Sequence, residues 1–389
     1  MGDVYVLEQP CGPPTAPTCW SWSGLKAWRQ CPRQWWLLRA TYANAPTPYP
    51  QPLNPGAAAG TILHAVVSDF LEYLKQADES ATDQDLRAAF NVRRAIQSRL
   101  REIAASLTNP RTDGQRLLAR VSVDDCVNAF RQVAPSCLAV GRGPRSRKRS
   151  TAQPKERTIG SEVWIEVPDP PLCGRLDLST GEGLIDFKTG DPADNDVDQL
   201  RFYALLVWLR TGSIPSKLTV MYVHSGKRVD VLPPSIELLQ ESVRSYKDEL
   251  AGIAAAISEG AAPAVPSQTN CSLCAVRQLC SAYWSAHETA ALRLTEHATK
   301  PYEGWRGWLD VEVSRLPECN HTKGYTGTGS VSGLGDIHLS IGPSKVHAKS
   351  PKRARLLNAL VEHRGENYSV TASATTEVFW MEDVATNPM

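Results

Sequence analysis

The chain has 389 residues, of which 42% are hydrophobic and 21% are charged, and its formal net charge is +1. This length predicts two or three domains, and this composition excludes disordered and fibrous proteins because it supplies a buried core. A net charge this close to zero argues against a uniformly basic nucleic-acid coat but leaves room for a local basic patch.

The sequence carries no signal for a membrane or for secretion. Its longest apolar stretches, such as residues 203–208, fall far short of the roughly 20 residues that a bilayer span requires, and the N-terminus lacks the pattern of a secretory signal. We therefore expect a cytoplasmic protein with no membrane partner. Its ten cysteines should then stay reduced, so clustered cysteines indicate metal ligands rather than disulfides.

The first 140 residues are predicted to be mostly helical. Residues 21–42 form a Trp-rich amphipathic helix with a turn around Pro32, and apolar residues recur at helical spacing over residues 60–74. Arg-rich helices are predicted over residues 83–107 and onward to about residue 138.

A basic segment then spans residues 141–157, and we predict a mobile loop there. Its central cations are candidates for contacts with nucleic-acid phosphates, and they are Arg145, Arg147, Lys148 and Arg149. A solvated linker is the alternative interpretation.

The next segment alternates short strands with helices, which predicts an α/β core. Strands are predicted over residues 161–168, 172–179, 183–190, 218–223 and 228–232, and helices over residues 197–209 and 235–258. After residue 301, alternating apolar residues and turns predict a small β-rich domain, with a basic helix or loop over residues 345–360. An OB-like barrel that handles single strands is one interpretation of this domain, and a protein-docking or stabilising role is the other.

We therefore divide the chain into a helical region (1–140), an α/β core with a cysteine cluster (141–300) and a β-rich accessory domain (301–389). A second basic group lies in the last region, and it comprises Lys345, Lys349, Lys352, Arg353 and Arg355.

Two carboxylates and a lysine are predicted to converge in the α/β core. Asp186 and Lys188 lie two residues apart on one predicted strand and so share a face, and hairpin pairing brings Asp177 beside them. Carboxylate oxygens suit Mg²⁺ or Mn²⁺, and a lysine can orient a water or stabilise developing charge. Taken alone, however, an Asp-x-Lys triplet is most often a solvated strand end.

This set resembles the motifs of the PD-(D/E)XK nuclease superfamily, in particular its RecB-like exonuclease branch. Further residues follow in the order of that family, and they are His64, Glu162, Gln199 and Tyr203. The resemblance implies a mixed sheet flanked by helices, with His64, Asp177 and Asp186 holding Mg²⁺ or Mn²⁺. It further implies Glu162 as an additional acid, Lys188 beside the attacking water, and Gln199 and Tyr203 placing substrate or supporting the site.

The activity implied by the resemblance is metal-dependent hydrolysis of DNA, at single strands or duplex ends, in repair or recombination. The sequence has no GxxxxGK[ST] loop for ATP hydrolysis, so unwinding would require a helicase or recombination partner. Two alternatives stay open. One is a non-catalytic DNA-binding or scaffold subunit of a recombination or defence complex, and the other is a zinc-stapled nucleic-acid-binding module with an incidental acidic set.

A cysteine motif follows the long helix. Cys271, Cys274 and Cys280 form a CxxC followed by a third thiol, and Cys31 is the candidate fourth ligand. Four thiolates bind either zinc or an iron–sulfur cluster. The pattern resembles the AddB-type and CRISPR-adaptation nucleases, which implies a structural 4Fe-4S cluster. We interpret the other cysteines as ordinary small residues without partners, and they are Cys11, Cys19, Cys126, Cys137, Cys173 and Cys319.

Overall fold

The computed structural model describes residues 4–141, 160–287 and 305–381, except for residues 53, 79, 108–110, 112, 113, 181, 182, 261, 321, 323, 333, 346–351, 366 and 374. The chain divides into two compact units, which we call the central unit (Ala16–Lys26 and Pro52–Ala256) and the barrel unit (Met1–Thr15, Ala27–Gln51 and Ile257–Met389). The boundaries of these units differ from the sequence-based division at residues 140 and 300. That division stays a prediction of which regions fold independently.

The helices are, in chain order, α1 (Trp22–Gln30), α2 (Pro32–Arg39), α3 (Pro55–Gln76), α4 (Asp83–Ala89), α5 (Val92–Ser106), α6 (Gly114–Arg120), α7 (Val123–Gly141), α8 (Asp194–Thr211), α9 (Ile236–Ser258), α10 (Gln268–Ser272) and α11 (Ser281–His287). None of them, within the described residues, has the length and apolar character needed to cross a membrane.

Local sequence explains where the first helices begin and end. Cys31 is extended and Pro32 opens α2, so the predicted turn separates two helices. Asn54 caps α3 by accepting hydrogen bonds from Gly56 and Ala57, which starts this helix five residues before the predicted position. The helical stretch predicted over residues 83–107 consists of two helices, α4 and α5, because Asn91 caps the second one.

The strands are β1 (Val4–Val6), β2 (Gly160–Pro168), β3 (Pro171–Ser179), β4 (Gly183–Lys188), β5 (Lys217–Tyr222), β6 (Lys227–Val231), β7 (Trp305–Arg315), β8 (Cys319–Asn320), β9 (Gly324–Val331), β10 (Gly335–Ile341), β11 (Arg353–Arg364), β12 (Asn367–Ala372) and β13 (Glu377–Met381). The central unit holds a sheet in the order β2-β3-β4-β5-β6. Strands β4 and β5 are parallel and the other neighbours are antiparallel, which confirms the predicted mixed α/β core.

Helices cover this sheet and form most of its hydrophobic core. Helices α3, α5 and α7 pack against one another. Their apolar side chains contact residues in or just after the strands of the central sheet, namely Leu178, Phe187, Met221 and Val223. Helix α8 packs on β2, β3, β4 and β5. Together these contacts fix α3 and α8 next to the strands that carry the predicted site.

A disulfide ties the N-terminal part of the central unit to β3. Cys19 bonds to Cys173, so the interpretation of these two cysteines as unpaired is wrong. The backbone of Trp20 brings them together, because its N–H donates to Pro171 O and its carbonyl accepts from Cys173 N, each at 2.9 Å. The two cysteines are 154 residues apart, so sequence spacing carries no signal of the pairing.

The β-rich region predicted after residue 301 is confirmed and closes on itself. Its strands follow the ring β7-β9-β10-β12-β11, and β11 pairs back onto β7. Strands β10 and β12 are parallel while the other neighbours in the ring are antiparallel. A five-stranded closed ring is the architecture of the OB-like barrel that the sequence suggested. The N-terminal strand β1 adds to the sheet by pairing in parallel with β13.

The helix or loop predicted over residues 345–360 is wrong from residue 353 onward, because residues 353–364 form strand β11, and residues 346–351 lie outside the described residues. Ala354, Leu356, Ala359 and Val361 are fully buried, and a register shift between Leu356 and Ala359 breaks the alternation that would have identified the strand.

The second basic group bonds in part within the barrel unit. Lys345 is buried and donates to the carbonyl of Thr376. Arg353 and Arg355 both form ion pairs with Glu312. Lys352 is exposed, and Lys349 lies outside the described residues. The contact of this group with phosphates stays a prediction.

Candidate metal centre

Three ligand atoms from three elements converge in the central unit. His64 on α3, Glu162 on β2 and Asp177 on β3 each contribute one atom, and these atoms lie within 4.8 Å of one another. His64 Nδ1 is 3.0 Å from Glu162 Oε1 and 3.2 Å from Asp177 Oδ1. Among the described residues, no other set of three or more His, Cys, Asp or Glu side chains brings its ligand atoms this close together.

The backbone around this cluster holds its carboxylates in place. The N–H of Phe187 donates to Asp177 Oδ2 at 2.8 Å, which leaves Oδ1 facing His64. Glu162 has a φ of +52°, a left-handed conformation that costs a residue with a Cβ about 1–3 kcal/mol and that clusters at functional sites. In the β2–β3 ladder Glu162 lies between the pairs Ser161–Leu178 and Val163–Leu176, a register that sets it opposite Asp177.

Asp186 lies beside the cluster and is fully buried. Lys188 Nζ is 2.8 Å from Asp186 Oδ2, and apart from this ion pair neither carboxylate oxygen has a hydrogen bond among the described residues. Burial, followed by the charge of Asp177, raises the pKa of Asp186 to about 7. A buried carboxylate with an unsatisfied oxygen is costly unless a cation compensates it.

A hydrogen-bonded chain leads from Lys188 to α8. Lys188 Nζ donates to Gln199 Oε1 at 2.7 Å, and Gln199 Nε2 donates to the Tyr203 oxygen at 2.8 Å. Burial, and then the charges of Asp186 and Asp177, raise the pKa of Tyr203 well above its usual range. Tyr203 therefore keeps its proton while its oxygen accepts from Gln199, and Lys188 is held between Asp186 and Gln199.

His64 is held protonated when no cation is bound. Burial lowers its pKa, but hydrogen bonds to Asp177 and Glu162 outweigh burial and raise the pKa to about 10. The proton thus occupies the position between the carboxylates where a cation would bind.

The donor set fits a divalent cation. It combines one imidazole nitrogen, two carboxylates within 4.8 Å of it and the unsatisfied oxygen of Asp186, and such oxygen-rich sets suit Mg²⁺ or Mn²⁺. The sequence-based ligand set was His64, Asp177 and Asp186, with Glu162 as an additional acid. The structure brings Glu162 into the closest cluster, at the ladder position opposite Asp177.

The sequence analysis missed Arg175. Its Nη1 lies 3.5 Å from Glu162 Oε2, so a cation borders the carboxylate cluster. Its position two residues before Asp177 on one strand was the available signal, since such residues share a face. The cations Arg145, Arg147, Lys148 and Arg149 lie outside the described residues, and their contact with nucleic acid stays a prediction.

The four predicted cysteines meet in the barrel unit. Cys31, Cys271, Cys274 and Cys280 line one small cavity together with side chains that include Leu37 and Val276. Burial, followed by the charges of the other three cysteines, raises the pKa of Cys274 to about 12. All four are free thiols in the structure, so the arrangement offers a set of four sulfur ligands.

Comparison with known proteins agrees with this geometry. A search of curated proteins found no match. A family model described as the PD-(D/E)XK nuclease superfamily matches residues 19–281. The match includes the metal centre, the chain from Lys188 to Tyr203 and all four cysteines of the cavity, and it implies a metal-dependent nuclease. Because it covers well over half of the sequence, we conclude that the chain belongs to the PD-(D/E)XK nuclease superfamily.

Proposed function

We propose that the protein is a DNA nuclease of the RecB-like branch that hydrolyses phosphodiester bonds exonucleolytically, at single strands or duplex ends, with Mg²⁺ or Mn²⁺. The observation that carries this proposal is the convergence of His64, Glu162 and Asp177 next to the Asp186–Lys188 pair. This pairing of a hard-ligand cluster with a half-buried lysine supports catalysis rather than structural metal binding.

The residues divide the chemistry between them. His64, Glu162, Asp177 and Asp186 would hold the cation. When bound, a divalent cation polarises the phosphodiester and lowers the pKa of water. Lys188, fixed by its contacts with Asp186 and Gln199, orients the attacking water or stabilises charge on the phosphate. These side chains thus bind, orient and neutralise the reacting groups.

The first test of this proposal is Asp186→Ala assayed on labelled single- and double-stranded DNA. We expect metal-dependent cleavage by the wild type, none in chelator, and none by Asp186→Ala although DNA binding survives. The matched control is Glu72→Ala, an exposed acid on α3, which should cleave like the wild type. Undiminished cleavage by Asp186→Ala would contradict the assignment, and wild-type DNA binding without cleavage under any metal would favour a scaffold subunit.

Lys188→Ala separates catalysis from metal binding. Because Lys188 contacts Asp186 Oδ2 but is not a metal ligand, the variant should lose turnover while its Mn²⁺ affinity, measured by calorimetry, is retained. Loss of Mn²⁺ binding would show that the lysine supports the ligands rather than the reaction.

We also propose that the four thiols hold a structural 4Fe-4S cluster. Four thiolates bind either zinc or an iron–sulfur cluster. The resemblance of an early cysteine followed by CxxC-x5-C to the AddB-type nucleases supports the cluster over a single zinc ion. The cluster would join Cys31 to Cys271, Cys274 and Cys280 of the same unit.

Anaerobic purification tests the cluster. We expect a brown protein with about four irons per chain. Cys31→Ala should lose iron and stability, whereas Cys11→Ala, which removes an exposed cysteine of the same unit, should keep both. A colourless protein loaded with zinc would decide against the cluster.

The proposed pathway is DNA repair or recombination, with a helicase or recombination partner that unwinds the duplex. This part of the proposal rests on the RecB-like resemblance alone. Cleavage of duplex ends that accelerates only when a helicase and ATP are added would support it, and unaided cleavage of long duplexes would argue against it.

A further inference from the structure

A cleft of about 500 Å³ lies within the central unit beside the metal centre. Gln199 and Tyr203 of α8 line it, together with Ser21 at the start of α1 and the β2–β3 residues Trp164 and Arg175. Since Gln199 also bonds to Lys188, the cleft shares residues with the reacting site.

Trp164 is the unusual residue of this cleft. Its side chain on β2 is 54% exposed, whereas its neighbours Ile165 and Val167 are each 3% exposed. Burial of an indole is favourable, so an exposed tryptophan in a concave site indicates a ligand that covers it.

Arg175 neighbours both this indole and the metal ligand Glu162. Trp164 and Arg175 are directly opposite each other in the β2–β3 ladder, so their side chains emerge on the same face. The Arg175 side chain is 63% exposed and places Nη1 3.5 Å from Glu162 Oε2. This single contact leaves most of the N–H donors of the guanidinium available to a phosphate.

We infer that Trp164 and Arg175 form a subsite for single-stranded DNA, in which a base stacks on the indole and an adjacent phosphate bonds to the guanidinium. This inference rests on the proposed nuclease function. Two strand residues, or about 6.8 Å, separate Trp164 from Glu162, so the stacked base belongs to a nucleotide close to the scissile phosphate. Bases inside a duplex are already stacked and offer no free face, which makes the subsite selective for single strands.

The test measures binding without catalysis. Fluorescently labelled DNA is titrated in chelator, so that the affinity does not depend on cleavage. Trp164→Ala should lower the affinity for a single strand by about 5- to 150-fold, which corresponds to the loss of one stacked base. Trp164→Phe should retain most of the affinity, and Trp308→Ala, which removes a 52% exposed tryptophan of β7, should retain all of it.

Three further ligands make the result specific for stacking on DNA. A duplex of the same sequence and an abasic strand of the same length should each bind Trp164→Ala within twofold of the wild type. An RNA strand should bind the wild type no more tightly than DNA does. Arg175→Ala should reduce the slope of log affinity against log salt by about 0.7, the share of one phosphate contact on a single strand.

Several results would overturn the inference. These are an unchanged single-strand affinity in Trp164→Ala, an equal loss for all ligands including the abasic strand, or tighter binding of RNA. A wild type that binds single strands through Trp164 but cleaves nothing with Mg²⁺ or Mn²⁺ would refute the nuclease function and leave the subsite standing. The melting temperature should be unchanged in Trp164→Ala, because the side chain is exposed.

Discussion

His64 is the residue whose protonation couples the metal centre to pH. In the absence of a cation its proton bonds to Glu162 and Asp177, and Asp186 holds a proton up to about pH 7. A cation must displace both protons, so acid competes with metal. Metal binding is therefore expected to release the protons of His64 and Asp186.

The sign of the pH effect follows from these shifts. The pKa of Asp186 rises from 3.8 to about 7 on folding, and that of His64 rises from 6.5 to about 10. Both groups therefore contribute stability that is present at low pH and lost as the pH rises through these folded-state values. Metal binding should compensate for this loss.

We predict that Mn²⁺ raises the melting temperature more at pH 8.5 than at pH 5.5, each relative to chelator. Differential scanning fluorimetry measures this directly. In His64→Asn the difference between the two pH values should shrink, because one of the two displaced protons is absent, whereas Glu72→Ala should behave as the wild type. Equal metal-induced shifts at both pH values would contradict the displacement of protons.

At the scale of single residues, the sequence identified which side chains form the site but not all of the contacts between them. The spacing of Asp186 and Lys188 and the hairpin with Asp177 follow from the two-residue period of a strand. The closeness of Glu162 to His64 depends on the packing of α3 against β2, and the Cys19–Cys173 bond depends on a bridge across 154 residues. Neither feature leaves a periodic pattern.

Among the elements, the close packing of α8 on the sheet depends on a glycine in β3. A Cβ at Gly174 would lie 2.8 Å from Leu206 Cδ1 and 2.9 Å from Tyr203 Cε1, well inside ordinary carbon contacts of about 3.5–4.0 Å. The glycine therefore lets α8 approach the sheet closely enough for Tyr203 and Gln199 to reach Lys188.

We predict that Gly174→Ala costs about 1–3 kcal/mol of unfolding free energy through overpacking and lowers kcat by moving Gln199 away from Lys188. Mn²⁺ affinity should be preserved, since none of His64, Glu162 and Asp177 lies on α8, and Asp177 is held by the N–H of Phe187. The control is Gly252→Ala on α9, where no atom lies within 4 Å of the added Cβ and alanine favours the helix. An unchanged kcat with reduced stability would show that α8 repacks without disturbing the lysine.

Most elements of the fold were predictable because their apolar residues keep a regular period. The mixed strands of the central sheet and helix α8 follow from such periods. Strand β11 was mistaken for a basic helix or loop because its arginines bond within the unit and its bulge shifts the alternation. Tertiary contacts, rather than local propensity, decide such a segment.

For the molecule as a whole, the barrel unit links its β-strands to the segment that carries Cys271, Cys274 and Cys280. Asp310 on β7 accepts hydrogen bonds from Arg277 Nε at 2.5 Å and from the Tyr283 hydroxyl at 2.8 Å. Arg277 lies between Cys274 and Cys280 in sequence. Arg355 of β11 bonds to the carbonyl of Gln278 in the same segment. These bonds hold the segment that carries Cys274 and Cys280 against strands β7 and β11. The role of the β-rich region, stabilising or substrate-handling, stays a prediction.

We predict that Asp310→Ala loses the iron–sulfur cluster proposed for the cysteine site. Removing one partner of a buried ion pair costs about 3–5 kcal/mol, and here it also frees the segment that carries Cys274 and Cys280. Iron per chain and the melting temperature measure the effect. The matched control is Asp336→Ala, whose ion pair with Arg315 is exposed and contributes little. Full iron content in Asp310→Ala would show that the thiols hold themselves in place.

The discontinuous barrel unit has a consequence for biosynthesis. Its strand β1 is translated long before its partner β13, and Cys31 precedes Cys280 by 249 residues. At about 5–20 residues per second, Cys31 waits about 12–50 s on the ribosome before the fourth thiol is made. During that interval the nascent chain carries Cys31 without its partners, so assembly of the site must follow translation of residue 280.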